Sequence, residues 1–560
     1  ARGRSVAARE TEAALDWFEA PRADDQGRRE GTYQGRIPLS GARTGELRGG
    51  VDALALVPRT QFLYALVDGR AVVIETHGAA PYASVPVRGT MLGVDGTGDE
   101  LLVLADGAAE RIETGRHAFA WRVPGVLLAA VLAFFLVLLA RRLFASDVLP
   151  AIVGIAVVLD GSMFAQARIG MNDIYVATFI VVGWYFVVAA HRPRRGAWID
   201  LALAGIAFGL DAASKWVAFY AIAAVGLASV IVTARAWAEG RPGAGGPLDL
   251  LAARRWASWR LPRLLEKLAE WLPERMSRGL QPLRLLVQGC NSALLAFAFV
   301  VIPVTIYVAS YLPWFGGATA PYGWSPIDLT KQMYWYHSGL TAPHPAGSPW
   351  WSWPLVLKPV YWYLGQPGAG ATAVIYDTGN VVLYWGGLVA VAWAAVAAAR
   401  ARSVALAFLL FAMLAQYVAW IPIARVLFFY HFFTALPFYL LILAAGLAAL
   451  WESGRRVLVV GYLAIAAGVL VFFYPFISGQ PVPADQAGMF YILPTWQYDC
   501  QFYPSFRCNV ALPSDIPAAA VLTRVAIAAA AALGAAAVFA LTRDGARARL
   551  RTLVAGRGRG

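Results

Sequence analysis

The 560-residue chain is 59% hydrophobic and only 14% charged, with a formal net charge of +13. Apolar runs of about 20 residues recur along it, each long enough to cross a ~30 Å hydrocarbon core, which excludes an ordinary soluble domain. In such a chain the positive balance reads as a topology signal and not as evidence for nucleic acid.

The chain opens on Ala1 and no apolar run precedes its polar first region, so it reads as a fragment lacking its N-terminus; a processed mature protein is the alternative. Residues 1–45 are polar, charged and Gly-rich without a clear period and are expected to be irregular. Over 46–116 the pattern alternates, and two pieces match at an offset of 38, "LYALVDGRAVVIETHG" from Leu63 and "LLVLADGAAERIETGR" from Leu101. Each predicts strand, Asp-Gly turn, strand. A repeat of about 40 residues suggests blade-like β units, and two of them cannot close a propeller. The expectation is a small β-repeat module that binds or spaces.

Eleven candidate spans follow, at 124–140, 148–163, 174–190, 199–213, 216–233, 291–312, 380–399, 403–422, 430–450, 457–475 and 518–541. With Arg141 and Arg142 placed inside, the inner loops and tail after Val123 hold 25 Lys or Arg against 6 in the opposite loops of that region. Cationic loops resist translocation, so this asymmetry supports the count and puts 1–122, 313–376 and the loop before the last span outside. The inner loop 234–289 alternates apolar and basic residues at roughly helical spacing, with Trp256, Trp259 and Trp271 suited to the headgroup layer. Cys290 begins a span. Cys500 and Cys508 share an outer loop, seven residues between them, which suits a possible disulfide or two free thiols.

Several strings place a cation beside aromatics where a span meets water on the outer side. They are "LDGSMFAQARIGMNDIY" with Arg168 and Asp173, "GLDAASKWVAFY" with Lys215, "PWWSWPLVLKPVYWYL" with Lys358, and "ARVLFFYHFFTALPF" with Arg425, Tyr430 and His431. Four cations on one face would make an anion site, and a lipid-linked phosphate is the anion found at that depth. The bland alternative is an aromatic belt with snorkelling side chains. Asp173 either orients Arg168 and substrate or caps a helix with Asn172. The loop "WYHSGLTAPHPAGSPWWSWP" joins His337, His344, Trp350, Trp351 and Trp353 to four prolines, and reads as a stiff aromatic lid over the site. The two histidines lack further evident partners for a metal.

These strings, in this order, resemble the protein O-mannosyltransferase family and, more broadly, glycosyltransferases that use a phospholipid carrier. The likeness covers about 117–497 and includes "ASKW", "IYDTGNVVLYWGG" and "ILPTW". It implies an all-α polytopic membrane protein of the C-type glycosyltransferase fold, with about 11 transmembrane helices here beside the small N-terminal β-repeat module. It implies transfer of mannose from a polyprenyl-phosphate carrier to Ser or Thr hydroxyls of secreted proteins, on the outer face of a bacterial cytoplasmic membrane. Donor lipid and secreted protein are then the partners, and no cofactor is evident, although a carboxylate and a His could join a further ligand around a divalent metal. By this resemblance Arg168 and Lys215, then Arg425 and Lys358, bind the lipid phosphate. The family's Asp-Glu pair after its first span and its His-Pro-Pro segment have no match here. "HAFAWRVPG" resembles the lead into the family's second span, so the catalytic Asp is expected upstream of Ala1 and 1–116 becomes an insertion in the first outer loop. The 313–376 loop is too short for the β-trefoil of eukaryotic members, which points to the bacterial type. Residues 498–560 form the last outer loop, span and basic tail, outside the resemblance. The rival expectations are another lipid-linked sugar, a lipid or polysaccharide acceptor, and a non-catalytic carrier-lipid transporter or scaffold.

Overall fold

The structure is a computed structural model. It describes residues 118–190, 197–227, 296–312, 325–401 except 369, 403–496 and most of 519–533, and ahead of these ten strands with parts of their connections. Two compact units emerge, one of Ala1–Val123 with Val308–Trp335, the other of Pro124–Tyr307 with Tyr336–Gly560.

The first unit carries three antiparallel sheets. Strands β1 (Arg4–Ala8), β2 (Ala14–Glu19) and β3 (Thr32–Pro38) form one. Strands β4 (Ala53–Leu56), β5 (Phe62–Val67), β6 (Arg70–Glu75) and β7 (Ala80–Pro86) form a four-stranded meander, and β8 (Met91–Val94), β9 (Glu100–Ala105) and β10 (Ala108–Glu113) the third. The period of two explains their stacking. Leu63, Ala65 and Val67 of β5 share a core with Leu15 and Ile37 of the first sheet. The alternate residues Tyr64 and Leu66 share one with Leu101 and Val103 of the third. Both expected Asp-Gly hairpins correspond to strand pairs, β5–β6 and β9–β10. In the first, Asp68 and Gly69 both take positive φ (50° and 64°), the geometry that lets a two-residue turn follow the strand twist. The irregular reading of 1–45 is corrected by β1–β3. Their alternation is confined to short pieces, and Leu15 and Ile37 gain their burial from packing on β5 and β6, which no local window reveals.

The second unit is mostly helical. Four of the molecule's described helices are long and apolar enough to cross a membrane: Phe119–Leu143, Asp173–Ala190, Val381–Ala401 and Arg456–Ser478. Shorter apolar helices occupy Leu149–Leu159, Ala218–Leu227, Phe297–Ala309, Val404–Trp420, Leu436–Glu452 and Val521–Ala531. In chain order we label Ala118–Leu143 α1, Leu149–Leu159 α2, Gly161–Gln166 α3, Asp173–Ala190 α4 and Ala197–Ser214 α5. The 234–289 loop, the Cys500–Cys508 loop and the basic tail lie outside the described residues.

Small residues allow the close approaches. A Cβ on Gly183 of α4 would meet the Phe208 ring of α5 at 2.6 Å, and one on Gly209 would meet Ile306 at 2.8 Å. The Leu436–Glu452 helix is buried from Leu436 to Ala445 and packs on α2, Val381–Ala401 and Val404–Tyr417. The expected span 148–163 breaks at Asp160, which ends α2 and caps α3, its carboxylate accepting from the Met163 amide at 2.8 Å. A sheet stands at the helix ends: β11 (Val360–Gly368) and β12 (Ala371–Asp377) form a hairpin, and β13 (Val482–Pro483) pairs with β12.

Candidate active site

The site is built where α3, α4, α5, the β11–β12 hairpin and the segment Phe428–Thr434 meet. Asp377, the last residue of β12, is fully buried and collects three donors from two other segments. Ser162 Oγ donates at 2.6 Å, Gln166 Nε2 at 2.7 Å and Trp362 Nε1 at 3.1 Å. Asp160 accepts the Asn380 amide at 3.2 Å, so a second buried carboxylate joins the same elements. Burial pushes the Asp377 carboxyl up to about 7; the three side-chain donors pull it down and neighbouring Asp160 adds to the rise. This junction fixes α3 to the hairpin and sets the Trp362 ring, which lies 5.0 Å from Tyr430.

Tyr430 leads to the cations. Lys215, just beyond α5, places its Nζ 5.4 Å over the Tyr430 ring and 2.7 Å from Asp173 Oδ1. Asp173 therefore orients Lys215, because α4 and α5 run side by side and bring the start of one to the end of the other. The Asn172 side-chain amide donates to the Ser214 carbonyl at 2.8 Å. Arg425 Nη1 lies 3.3 Å from His337 Nδ1. A guanidinium only donates, so His337 accepts at Nδ1 and is neutral with its proton on Nε2. Partial burial, Arg425 and Lys215 together hold the His337 imidazole below its usual range. Of the two cations, Arg425 is the one in direct contact with this histidine.

The other two cations stand apart. Arg168 Nη1 donates to the Ser478 carbonyl at 3.2 Å at the end of Arg456–Ser478, and its guanidinium lies 4.8 Å over Phe164. Helix ends favour such a cation. Lys358 neighbours His344; burial lowers both groups, and the Lys358 charge lowers His344 further. His344 packs edge-on to Phe428 at 5.1 Å, and Phe428 stacks on Tyr430 at 5.3 Å, so aromatic contacts join Lys358 to the Lys215 side.

The aromatic lid is corrected in part. His337 belongs to the helix Pro326–Gly339, and Trp350–Ser352 form a single 3-10 turn. Trp351 is half exposed, whereas Trp353 is fully buried, its Nε1 donating to Ser348 Oγ at 3.1 Å. Trp350 accepts the Tyr417 hydroxyl on its carbonyl at 2.9 Å. His431 is buried too, 4.3 Å from Trp420 and stacked on Tyr430 at 4.6 Å. Trp353 and His431 thus build the wall behind the site, because their polar atoms are satisfied inward. Among the described residues no three His, Cys, Asp or Glu side chains converge as metal ligands. Sequence reasoning missed Asp377 and Trp362; the only signal was a lone carboxylate in "IYDTGN" closing an apolar strand.

Two family models match the chain. One, the C-terminal four-transmembrane region of protein O-mannosyltransferase, covers 325–496, and the other, dolichyl-phosphate-mannose-protein mannosyltransferase, covers 105–316. A polyprenol-phosphate-mannose–protein mannosyltransferase of Mycobacterium tuberculosis is 26% identical over 507 residues, 82% of this chain and 93% of its own length. One of the same description from Corynebacterium glutamicum is 23% identical over 561 residues, 86% of this chain and 98% of its own. Among solved structures, the S. cerevisiae protein O-mannosyltransferase Pmt1-Pmt2 complex bound to the sugar donor aligns with 69% of this chain and 81% of that one, at 11% identity and a TM-score of 0.49.

Proposed function

The chain belongs to the protein O-mannosyltransferase family, and on that premise we propose that it transfers mannose from a polyprenyl-phosphate carrier to Ser or Thr hydroxyls of proteins. The observation that carries the reading is the pair of family matches, which together span well over half of the chain and include the strings bearing Arg168, Lys215, His337, Lys358 and Arg425. Relatives that align over more than nine tenths of their own length bear the same description.

The chemistry fits the geometry. The acceptor hydroxyl oxygen bonds to the anomeric carbon, the bond from that carbon to the phosphate oxygen breaks, and the hydroxyl proton passes to a general base. Charge grows on the departing phosphate, so donors already in place lower the barrier. Lys215, held by Asp173 and Tyr430, supplies a fixed point charge. Arg425 supplies the fork, and a neutral His337 keeps a third positive charge away from the pair. Arg168, on the Ser478 carbonyl, and Lys358, near His344, are assigned to the phosphate only by the family resemblance. Eleven crossings, an extracytoplasmic site in the bacterial cytoplasmic membrane, and the region of the first ten strands as an insertion in the first outer loop complete the proposal; the 25-to-6 distribution of Lys and Arg over the short loops and tail after Val123 supports the orientation.

The test uses membranes carrying the full-length protein, labelled polyprenyl-phosphate mannose and a Ser/Thr-rich peptide. Label released from the peptide by base as free mannose is expected. Transfer from a different lipid-linked sugar, with none from mannose, would replace the donor assignment. No transfer from any would leave a non-catalytic protein.

A further inference from the structure

A second feature lies against the Arg456–Ser478 helix. A cavity of about 480 Å³ opens between the outer half of that helix, the segment after it and the Val521–Ala531 helix. Its wall is apolar at Pro475, Phe490 and Ile527, with Gln486, Thr523 and Arg524 as its polar members. That volume lies in the range of ligand pockets.

Arg524 is the unusual member, since a guanidinium within an apolar helix is costly and needs a reason. Half of the reason is Pro475. Proline has no amide hydrogen, so the Val471 carbonyl four residues earlier loses its donor. Arg524 replaces it from the neighbouring helix, donating through Nη2 to Val471 at 2.7 Å and through Nε to Phe472 at 3.0 Å. Carbonyls are neutral acceptors and do not balance the charge. Among the described residues no carboxylate pairs with Arg524, and Nη1 bonds nothing.

We propose that the cavity binds an anionic lipid, its headgroup oxygens on Arg524 Nη1 and its hydrocarbon chain along Pro475, Phe490 and Ile527. A bilayer phospholipid anion and a polyprenyl phosphate share this chemistry. Val471 and Phe472 lie in the last two turns of their helix, which on the basic-loop orientation is the depth of outer-leaflet headgroups.

Native mass spectrometry of the full-length protein, with phosphatidylglycerol, polyprenyl phosphate or phosphatidylcholine added, tests this. Either anion should be retained at least about tenfold over phosphatidylcholine, the scale of one charge-assisted bond. Ala519→Trp fills the cavity while leaving Arg524 in place, and Arg524→Gln removes the charge; each should cut that retention about tenfold. Because Arg524 also holds two carbonyls, Ala519→Trp is the deciding variant if Arg524→Gln fails to fold. Because the Lys215–Arg425 site also takes polyprenyl phosphate, the source is read from the Ala519→Trp effect: a loss of phosphatidylglycerol alone assigns a bilayer lipid, and a loss of polyprenyl phosphate alone the spent carrier. Equal retention of phosphatidylcholine, or unchanged retention by folded Ala519→Trp, overturns the site.

Discussion

Lys215 sits between a carboxylate and a ring, and that arrangement makes it the first residue to test. Lys215→Met removes a fixed charge facing the leaving phosphate, so kcat should fall by roughly 10²–10³ at saturating donor. A change confined to KM would place Lys215 in ground-state binding only. His337 gives an independent reading of the same electrostatics. Its imidazole is held below its usual range by burial, Arg425 and Lys215. Below about pH 6.5 the unfolded chain binds a proton that the native state refuses, so this group's effect is absent above that pH and destabilises as pH falls toward the native value. Arg425→Gln should move the His337 titration upward, read by nitrogen chemical shifts of labelled histidine. An unmoved titration would separate Arg425 from His337 in solution. The cation-and-aromatic strings made Lys215 and Arg425 legible as candidates. Their partners were not legible, because Asp173 lies 42 positions from Lys215 and His337 lies 88 from Arg425.

The junction of α2, α3 and the β11–β12 hairpin is where element geometry and site geometry are the same thing. A Cβ on Gly161 would meet the Thr378 carbonyl oxygen at 2.5 Å, a backbone atom that has no rotamer to yield. Gly161→Ala should therefore separate α3 from the hairpin and cost about 1–3 kcal/mol, visible as a lower melting temperature. Asp377 tests the same joint by charge. Its carboxyl is pushed up to about 7, so between pH 3.8 and 7 the native state holds a proton that the unfolded chain has released. Stability from this group is full below pH 3.8 and is lost as pH rises through 7. Asp377→Asn keeps an acceptor for Gln166 and Trp362, and the Ser162 hydroxyl can turn to accept; it should flatten the melting temperature between pH 5 and 8. Asp377→Ala strands three donors and should cost about 1–3 kcal/mol for each left unmet. An equal pH slope in wild type and Asp377→Asn would remove Asp377 as its source. Such a joint hides in sequence because it links residues over 200 positions apart, and because the 148–163 run stays apolar across the break at Asp160.

At the scale of the whole molecule, the membrane class was the most legible property, since insertion sums hydropathy and charge over long windows and needs no tertiary contact. The stacking of three β sheets was the least legible, because each strand is short and acquires its buried face from another sheet. Orientation lies between these cases. It rests on the loops and tail after Val123, 25 basic residues on one side against 6 on the other, and it decides whether Lys215, Arg425 and His337 meet a carrier lipid outside or inside the cell. Ala342 is exposed after the Pro326–Gly339 helix, and Ala401 is exposed at the end of Val381–Ala401 beside the basic pair Arg400 and Arg402. In a background with Cys290, Cys500 and Cys508 replaced by serine, Ala342→Cys should react with a membrane-impermeant maleimide in intact cells. Ala401→Cys should react only after permeabilisation. The reverse pattern would put the cations and the aromatic segment on the cytoplasmic side, where secreted acceptors have not yet arrived, and transfer to exported protein would then require a different site.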